Sequence, residues 1–142
     1  MNADRRAELL AAGEPTELVP LAERLVTDGT LGEVNVLSGP EVGMVMLTVR
    51  EPVAEHRFQL GEVLVTQCTV EVAGATGWCV RGGDDRVTTL AAALLDGAAA
   101  AELPAATEIR ELCLAIEARL AERSAQEWAE LEPTVVAFEE LT

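Results

Sequence analysis

The sequence predicts one α+β domain over residues 1–142. In it, N-terminal helices, an antiparallel β-meander of about four to five strands and two C-terminal helices follow one another. Apolar residues recur at helical spacing toward both ends of the chain, and they alternate with polar residues in the middle. The alternating stretches are joined by short turns, whereas parallel pairing would need long crossover connections. We therefore expect both C-terminal helices to pack on one face of the sheet.

Two helices are predicted at the N-terminus. The first covers residues 3–12, with Asn2 as its N-cap, and a second run of apolar residues at helical spacing covers 16–28. Pro20 suits the first turn of a helix and not its interior, which favours a regular helix that starts near Val19.

Alternation and turn residues divide the middle of the chain into short strands. The residues Ser38-Gly39-Pro40-Glu41 are typical of a turn, and Gly61 is typical of a bulge or bend. The predicted strands are 33–37, 42–49, 57–60, 63–72 and 78–81.

Residues 63–72 form the strongest of these patterns. Their even positions are the more apolar, so we expect that face to meet the core. The face consists of Leu64, Thr66, Cys68, Val70 and Val72. If the loop that follows is the two residues Ala73-Gly74, Cys68 lies directly opposite Cys79, whereas a longer loop moves the two apart.

Two helices are predicted after the sheet. Asp84 is placed to cap the first, and Thr107 to cap a longer second one whose apolar stripe weakens after Arg123. The apolar face of the first consists of Val87, Leu90, Ala91, Leu94, Leu95 and Ala98. The tail 135–141 is expected to add a strand or to dock on a partner.

Charge and composition narrow the functional classes. Ten basic and 25 acidic residues give a net charge of −15, which disfavours nucleic acid and anionic membranes as partners. Aromatic residues make up 3% of the chain, so its core is thin and burial against another protein is expected. No apolar run is long enough for a membrane helix or has the form of a signal peptide, and we expect a cytoplasmic protein.

The thiols and the single histidine do not form a recognisable site. Cys68, Cys79 and Cys113 contain no C-x-x-C pair, and free structural thiols are expected. Their spacing with His56 is not that of a zinc module, so no metal is predicted. A Cys–His nucleophile pair is disfavoured because His56 lies in a polar, loop-like stretch.

No complete catalytic motif is present, and we predict no catalytic residue. The one candidate anion or substrate site consists of Arg81, Gly82, Gly83 and Arg86, where glycines precede a helix start. Asp84 and Asp85 compete for the same backbone N–H groups, so simple helix capping is the alternative. The carboxylates Glu62, Glu71 and Asp96 are unpaired in sequence and are expected on a solvated face or in an interface ion pair.

The central hairpin and the helix after it carry a more specific pattern. Its residues are Phe58-Gln59-Leu60-Gly61-Glu62-Val63-Leu64-Val65-Thr66, Val70, Gly77-Trp78, Val80-Arg81-Gly82-Gly83-Asp84 and Ala91-Ala92-Ala93-Leu94-Leu95-Asp96. With the Arg-rich run 5–11, they resemble the PhnG family, the G subunit of the bacterial phosphonate carbon–phosphorus lyase system. The resemblance covers roughly residues 5–130. There are two departures: Ala7-Glu8 supplies no aromatic residue to the first helix, and Gly97 replaces an expected alanine, which weakens its helix locally.

The resemblance implies an accessory or scaffold subunit in organophosphonate catabolism. The G subunit of that family joins H, I and J subunits in a cytoplasmic core complex. With I, H and L it supports transfer of a phosphonate to the ribose of ATP, which releases adenine and forms ribose 1-phosphonate 5-triphosphate. The nucleosidase chemistry is attributed to the I subunit, and the iron–sulfur cluster belongs to J. The resemblance thus implies a hetero-oligomer with the I-type subunit as principal partner, in which ATP, Mg²⁺ and the cluster act elsewhere and this chain binds no cofactor.

Two alternatives remain open. In one, the chain lends Arg81, Arg86, Glu62 or Asp96 to a shared nucleotide or phosphonate site. In the other, it is a stand-alone small-molecule binding domain, which requires a concave pocket with convergent polar groups.

Overall fold

A computed structural model describes residues 1–136. The elements are α1 (Ala3–Ala11), α2 (Pro15–Thr27), β1 (Val34–Arg50), β2 (Arg57–Val72), β3 (Ala75–Gly82), α3 (Arg86–Ala100) and α4 (Ala106–Leu131), with a 3₁₀ turn at Glu132–Thr134. The strands form one antiparallel sheet in the order β1-β2-β3. The α+β class is confirmed. Most of the predicted tail 135–141 lies outside the described residues. None of the described helices combines the length and the apolar character needed to span a bilayer.

The prediction of four to five strands is wrong, because two expected breaks are irregularities inside longer strands. Around Gly39-Pro40 the pairing with β2 shifts register and then continues from Glu41. Near Gly61, Leu47 pairs with Gly61 while Thr48 pairs with Gln59, so one residue of β2 is left over. A neighbouring strand that pairs on both sides of such a bulge keeps it within the sheet.

The β2–β3 hairpin confirms the shorter of the two predicted loops. Ala73 and Gly74 have φ angles of 47° and 82°, the left-handed pair that a tight two-residue hairpin requires. Cys68 is therefore directly opposite Cys79. Both are buried free thiols.

Three helix starts differ from the prediction. α2 begins at Pro15, where Glu14 and Glu17 form a capping box, and it tolerates Pro20 on its exposed side. α3 is capped by Asp85, whose carboxylate accepts the backbone N–H of Thr88 at 2.9 Å. α4 begins one residue before the predicted cap Thr107. Cap residues adjacent in sequence are not separable from pattern alone.

Helix α3 is the centre of the fold. It contacts all three strands and the helices α1, α2 and α4. Every residue from Thr88 to Ala98 is buried except Leu90, which is partly buried, so the middle of the helix has no solvated polar face. The two ends of the helix reach solvent: Val87 of the predicted apolar face is 64% exposed in the first turn, and Ala100 is exposed at the other end. The expectation that both C-terminal helices cover the sheet is half right, because α4 packs on α1 and α3 instead.

Two glycines permit this arrangement. A Cβ at Gly77 of β3 would lie 2.2 Å from the backbone nitrogen of Gly97 in α3. A Cβ at Gly97 would lie 2.8 Å from Cγ2 of Val72. Gly97 is expected to weaken α3 locally. It also allows a close approach of helix and sheet that an alanine would obstruct.

Candidate interaction surface

β1 and β2 extend far beyond β3. β3 pairs only with Val65–Val72 of β2, while β1 and β2 stay paired out to Arg50 and Arg57. Residues 44–64 therefore project as a two-stranded ribbon, which we call the β-ribbon. The remainder of the sheet together with the helices is called the base.

The tip of the β-ribbon is an ordered turn. The Glu51 carboxylate accepts backbone N–H groups of Val53 at 2.8 Å, Ala54 at 2.6 Å and His56 at 3.3 Å. These hydrogen bonds, led by that of Val53, hold the pKa of Glu51 below its usual value. The carboxylate thus fixes the loop between the two strands.

The β-ribbon carries an unusual amount of exposed apolar surface. Met44 is 53% exposed, Leu47 42% and Phe58 45%. The other exposed apolar side chains are Val45, Met46, Val53, Leu60, Val63 and Leu64. The prediction that Leu64 faces the core is wrong: Leu64 is 42% exposed, and only Thr66, Cys68, Val70 and Val72 of that face are buried. Contiguous apolar surface of this kind marks an interaction site.

The end of α4 forms a second exposed surface. Every described residue from position 121 onward is exposed, including Trp128 at 59%. The earlier turns of α4 are held by ion pairs: Arg5 with Glu117 at 2.7 Å, Arg24 with Glu108 at 2.5 Å and Arg119 with Glu17. The weakening of the stripe after Arg123 therefore coincides with the loss of packing.

The residues of the predicted anion site have mainly structural contacts. Nη1 of Arg81 donates to the carbonyls of Ala11 at 2.7 Å and Gly13 at 2.8 Å, at the end of α1. The N–H of Gly83 donates to the carbonyl of Leu64 at 2.9 Å. Arg86 is exposed, and with Asp85 capping α3 the structure supports the alternative of helix capping. Anion binding by Arg81, Gly82, Gly83 and Arg86 stays a prediction.

Asp96 is the one buried carboxylate among the described residues. It accepts Nε of Arg6 at 2.6 Å and the backbone N–H of Trp78 at 3.1 Å. It therefore ties α3 to α1 and to β3. Glu62 and Glu71 lie on β2, with Glu62 on the β-ribbon opposite Met46, and His56 is exposed at the tip. These carboxylates and the histidine do not converge on one site.

The thiols are chemically quiet. Burial raises the pKa of Cys79 to about 12 and that of Cys113 to about 11, so both are protonated near neutral pH. Within residues 1–136, no three side chains of the His, Cys, Asp and Glu types are grouped so that they would hold a metal ion.

Sequence reasoning missed the β-ribbon as a site, although a signal was present. Met44 to Leu47 and Val63 to Val65 are consecutive apolar runs. In a strand such a run places apolar groups on both faces. It normally indicates a strand covered on both sides, and here residues 1–136 supply neither cover.

The comparisons agree with the pattern of the central hairpin. A sequence model of the family described as "Phosphonate metabolism protein PhnG" matches residues 2–142, essentially the whole chain. Among curated proteins, none matches it. The chain therefore belongs to the PhnG family of phosphonate metabolism proteins.

Proposed function

We propose that this chain is an accessory subunit of the carbon–phosphorus lyase assembly, with the larger I-type subunit as its principal partner and H, J and L as further members. In this role it supports the transfer of a phosphonate to the ribose of ATP with release of adenine. It works in the cytoplasm, contributes no cofactor of its own and is inactive when alone. ATP with Mg²⁺ and the iron–sulfur cluster act on other subunits.

The observation that carries this proposal is the β-ribbon. Its apolar side chains project from a base that already has its own buried core. The apolar surface also continues onto the outer face of the base, where Trp78 and Val80 are exposed on β3. A surface that is apolar over this length fits a permanent protein interface better than a transient one.

Net charge argues against a second copy as the occupant. Each copy carries −15, so two chains repel one another, whereas a partner with a basic surface is attracted. The proposal therefore commits to a different protein as the occupant.

The test is co-purification with the I-type subunit. Leu47→Asp and Met46→Asp introduce a charge on the β-ribbon without touching the core, and each should lower the yield of complex at least tenfold. Leu114→Asp is the matched control, because Leu114 is an exposed apolar residue on α4, which packs on α1 and α3 and not on the sheet. The proposal is contradicted if the wild-type chain is folded and does not co-purify with the I-type subunit.

A second assay addresses catalysis. The purified chain, supplied with ATP, Mg²⁺ and an alkylphosphonate, should release no adenine above the level of a blank. If adenine release co-purified with the chain through successive steps, the chain would be an enzyme by itself and the proposal would be wrong.

The alternative of a stand-alone small-molecule domain has less support. The groove between α2 and α3 has a volume of about 400 Å³, and apolar residues dominate its walls. Glu23 is its one charged residue, so convergent polar groups are missing there. The alternative of a shared site is taken up next.

A further inference from the structure

The structure assigns an oxyanion-binding site to the tip of the β-ribbon, formed by Thr48, Arg50, Arg57 and Gln59, and we propose that its ligand is a phosphate or phosphonate group. This site is separate from the predicted one at Arg81 and Arg86. It deepens the proposed function, because an accessory subunit that binds such a group contributes directly to a shared substrate site.

The strand register brings the four side chains together. Arg50 is directly opposite Arg57, and Thr48 is directly opposite Gln59. Residues opposite each other share a face, and so do residues two apart along a strand. All four therefore lie on one face of the β-ribbon. Thr48, Arg50 and Arg57, together with Val49, also line an open surface depression of about 310 Å³.

The chemistry of this group is that of an anion receptor. Two guanidinium groups offer forked N–H donors that match the oxygens of phosphate-like groups. The Thr48 hydroxyl and the Gln59 amide add uncharged donors. All four residues are exposed, so a ligand can reach them.

Neither tip arginine has an ion-pair partner among the described residues. The six ion pairs found there involve Arg5, Arg6, Arg24, Arg119 and Arg123 instead. The nearest carboxylate in sequence, Glu51, is engaged by the backbone N–H groups of its own turn. By register, Glu62 is the closest carboxylate on the same face, one step further from the tip opposite Met46.

The pairing is unfavourable for folding alone. Like charges directly opposite on an antiparallel pair repel each other. Arg50 and Arg57 are opposed in this way, and an anion between them would offset their repulsion. The family concerns phosphonate metabolism, which makes a phosphorus oxyanion the ligand class of choice.

The test uses the full chain and three probes: methylphosphonate, inorganic phosphate and ATP. Arg50→Gln and Arg57→Gln should each weaken binding about tenfold, as expected for loss of charge-assisted hydrogen bonds. Arg110→Gln, which removes an exposed arginine from α4, should leave the affinity unchanged. Backbone amide NMR shifts should move at residues 48–50 and 57–59. Binding by ATP alone identifies a nucleotide site, and binding by methylphosphonate identifies a phosphonate site.

Three results overturn the site: no shifts at the tip with any probe, an affinity in both tip variants equal to that of the wild type, or shifts centred on Arg81 and Arg86. The free energy of unfolding separates binding from a structural role, since the tip variants should keep or slightly raise it. Co-purification of the same variants with the I-type subunit tests the subunit role separately from anion binding. Variants that still assemble but no longer bind anions support the site, whereas loss of assembly in wild type refutes only the subunit role.

Discussion

One strand shows two opposite environments. From Thr66 to Val72, every second residue of β2 is buried beneath α3, whereas every residue from Arg57 to Leu64 is exposed. The apolar content of the two halves is similar. What differs is the cover: β3 pairs only with Val65–Val72, and the residues of β2 before Val65 are exposed. The base is therefore complete by itself, while the β-ribbon is built for cover that comes from outside.

The largest expected effect is a loss of stability of the base. Asp96→Ala leaves Arg6 and the N–H of Trp78 without their buried acceptor, and loss of one member of a buried ion pair costs about 3–5 kcal/mol. Urea unfolding followed by circular dichroism measures the loss. Asp96→Asn is the control, because it keeps an acceptor and should lose less. Equal stability of wild type and Asp96→Ala would contradict the role given to this residue.

A smaller effect is the pH dependence of the stability that Cys79 contributes to the base. The pKa of Cys79 is raised from 9.0 to about 12, so above pH 9 the unfolded thiol loses its proton while the folded one keeps it. Stability contributed by this group is complete below pH 9 and falls by up to about 1.4 kcal/mol per pH unit until pH 12. Unfolding curves at pH 9.0, 9.5 and 10.0 should show this slope.

Cys79→Ala isolates that contribution. In the variant, the free energy of unfolding should fall less steeply with pH, because one titrating thiol is gone. Burial also raises the pKa values of Cys68 and Cys113, so their contributions to the slope remain. An unchanged slope would show that Cys79 does not titrate as described. The β-ribbon contains no thiol and should contribute nothing to this dependence.

The smallest effect belongs to the β-ribbon. Met46→Gln removes an exposed apolar group that has no cover in the free chain, so the free energy of unfolding should change by less than about 0.5 kcal/mol. Binding of a hydrophobic dye to the native protein should fall at the same time. A destabilisation comparable to that of Asp96→Ala would mean that the β-ribbon packs within the chain after all.

The sequence predicted the base better than the β-ribbon. Periodicity located the helices, and of the two loop lengths that the sequence left open, the structure has Ala73-Gly74, which sets Cys68 opposite Cys79. Strand length was missed, since Gly39-Pro40 and Gly61 look like chain reversals until a neighbouring strand pairs on both sides of them. The buried contact between Asp96 and Arg6 joins residues 90 positions apart, which no local pattern reports.

The tip residues were missed for the same reason. Thr48 and Arg50 are near neighbours, but Arg57 and Gln59 join them only through the cross-strand register. The glycines at 82–83 attracted the anion prediction because they precede a helix. In the fold, that helix start is already capped by Asp85.

The unbroken passage of β1 and β2 from base to tip fixes a distance. Eight residues of β2, Arg57–Leu64, lie beyond the last pairing with β3, and at about 3.3 Å per residue they span about 25 Å. The β-ribbon thus holds the two positive charges of Arg50 and Arg57 at a fixed distance from the base. Adding or removing a pair of residues from each strand would move those charges by about 7 Å while keeping every side chain on its original face.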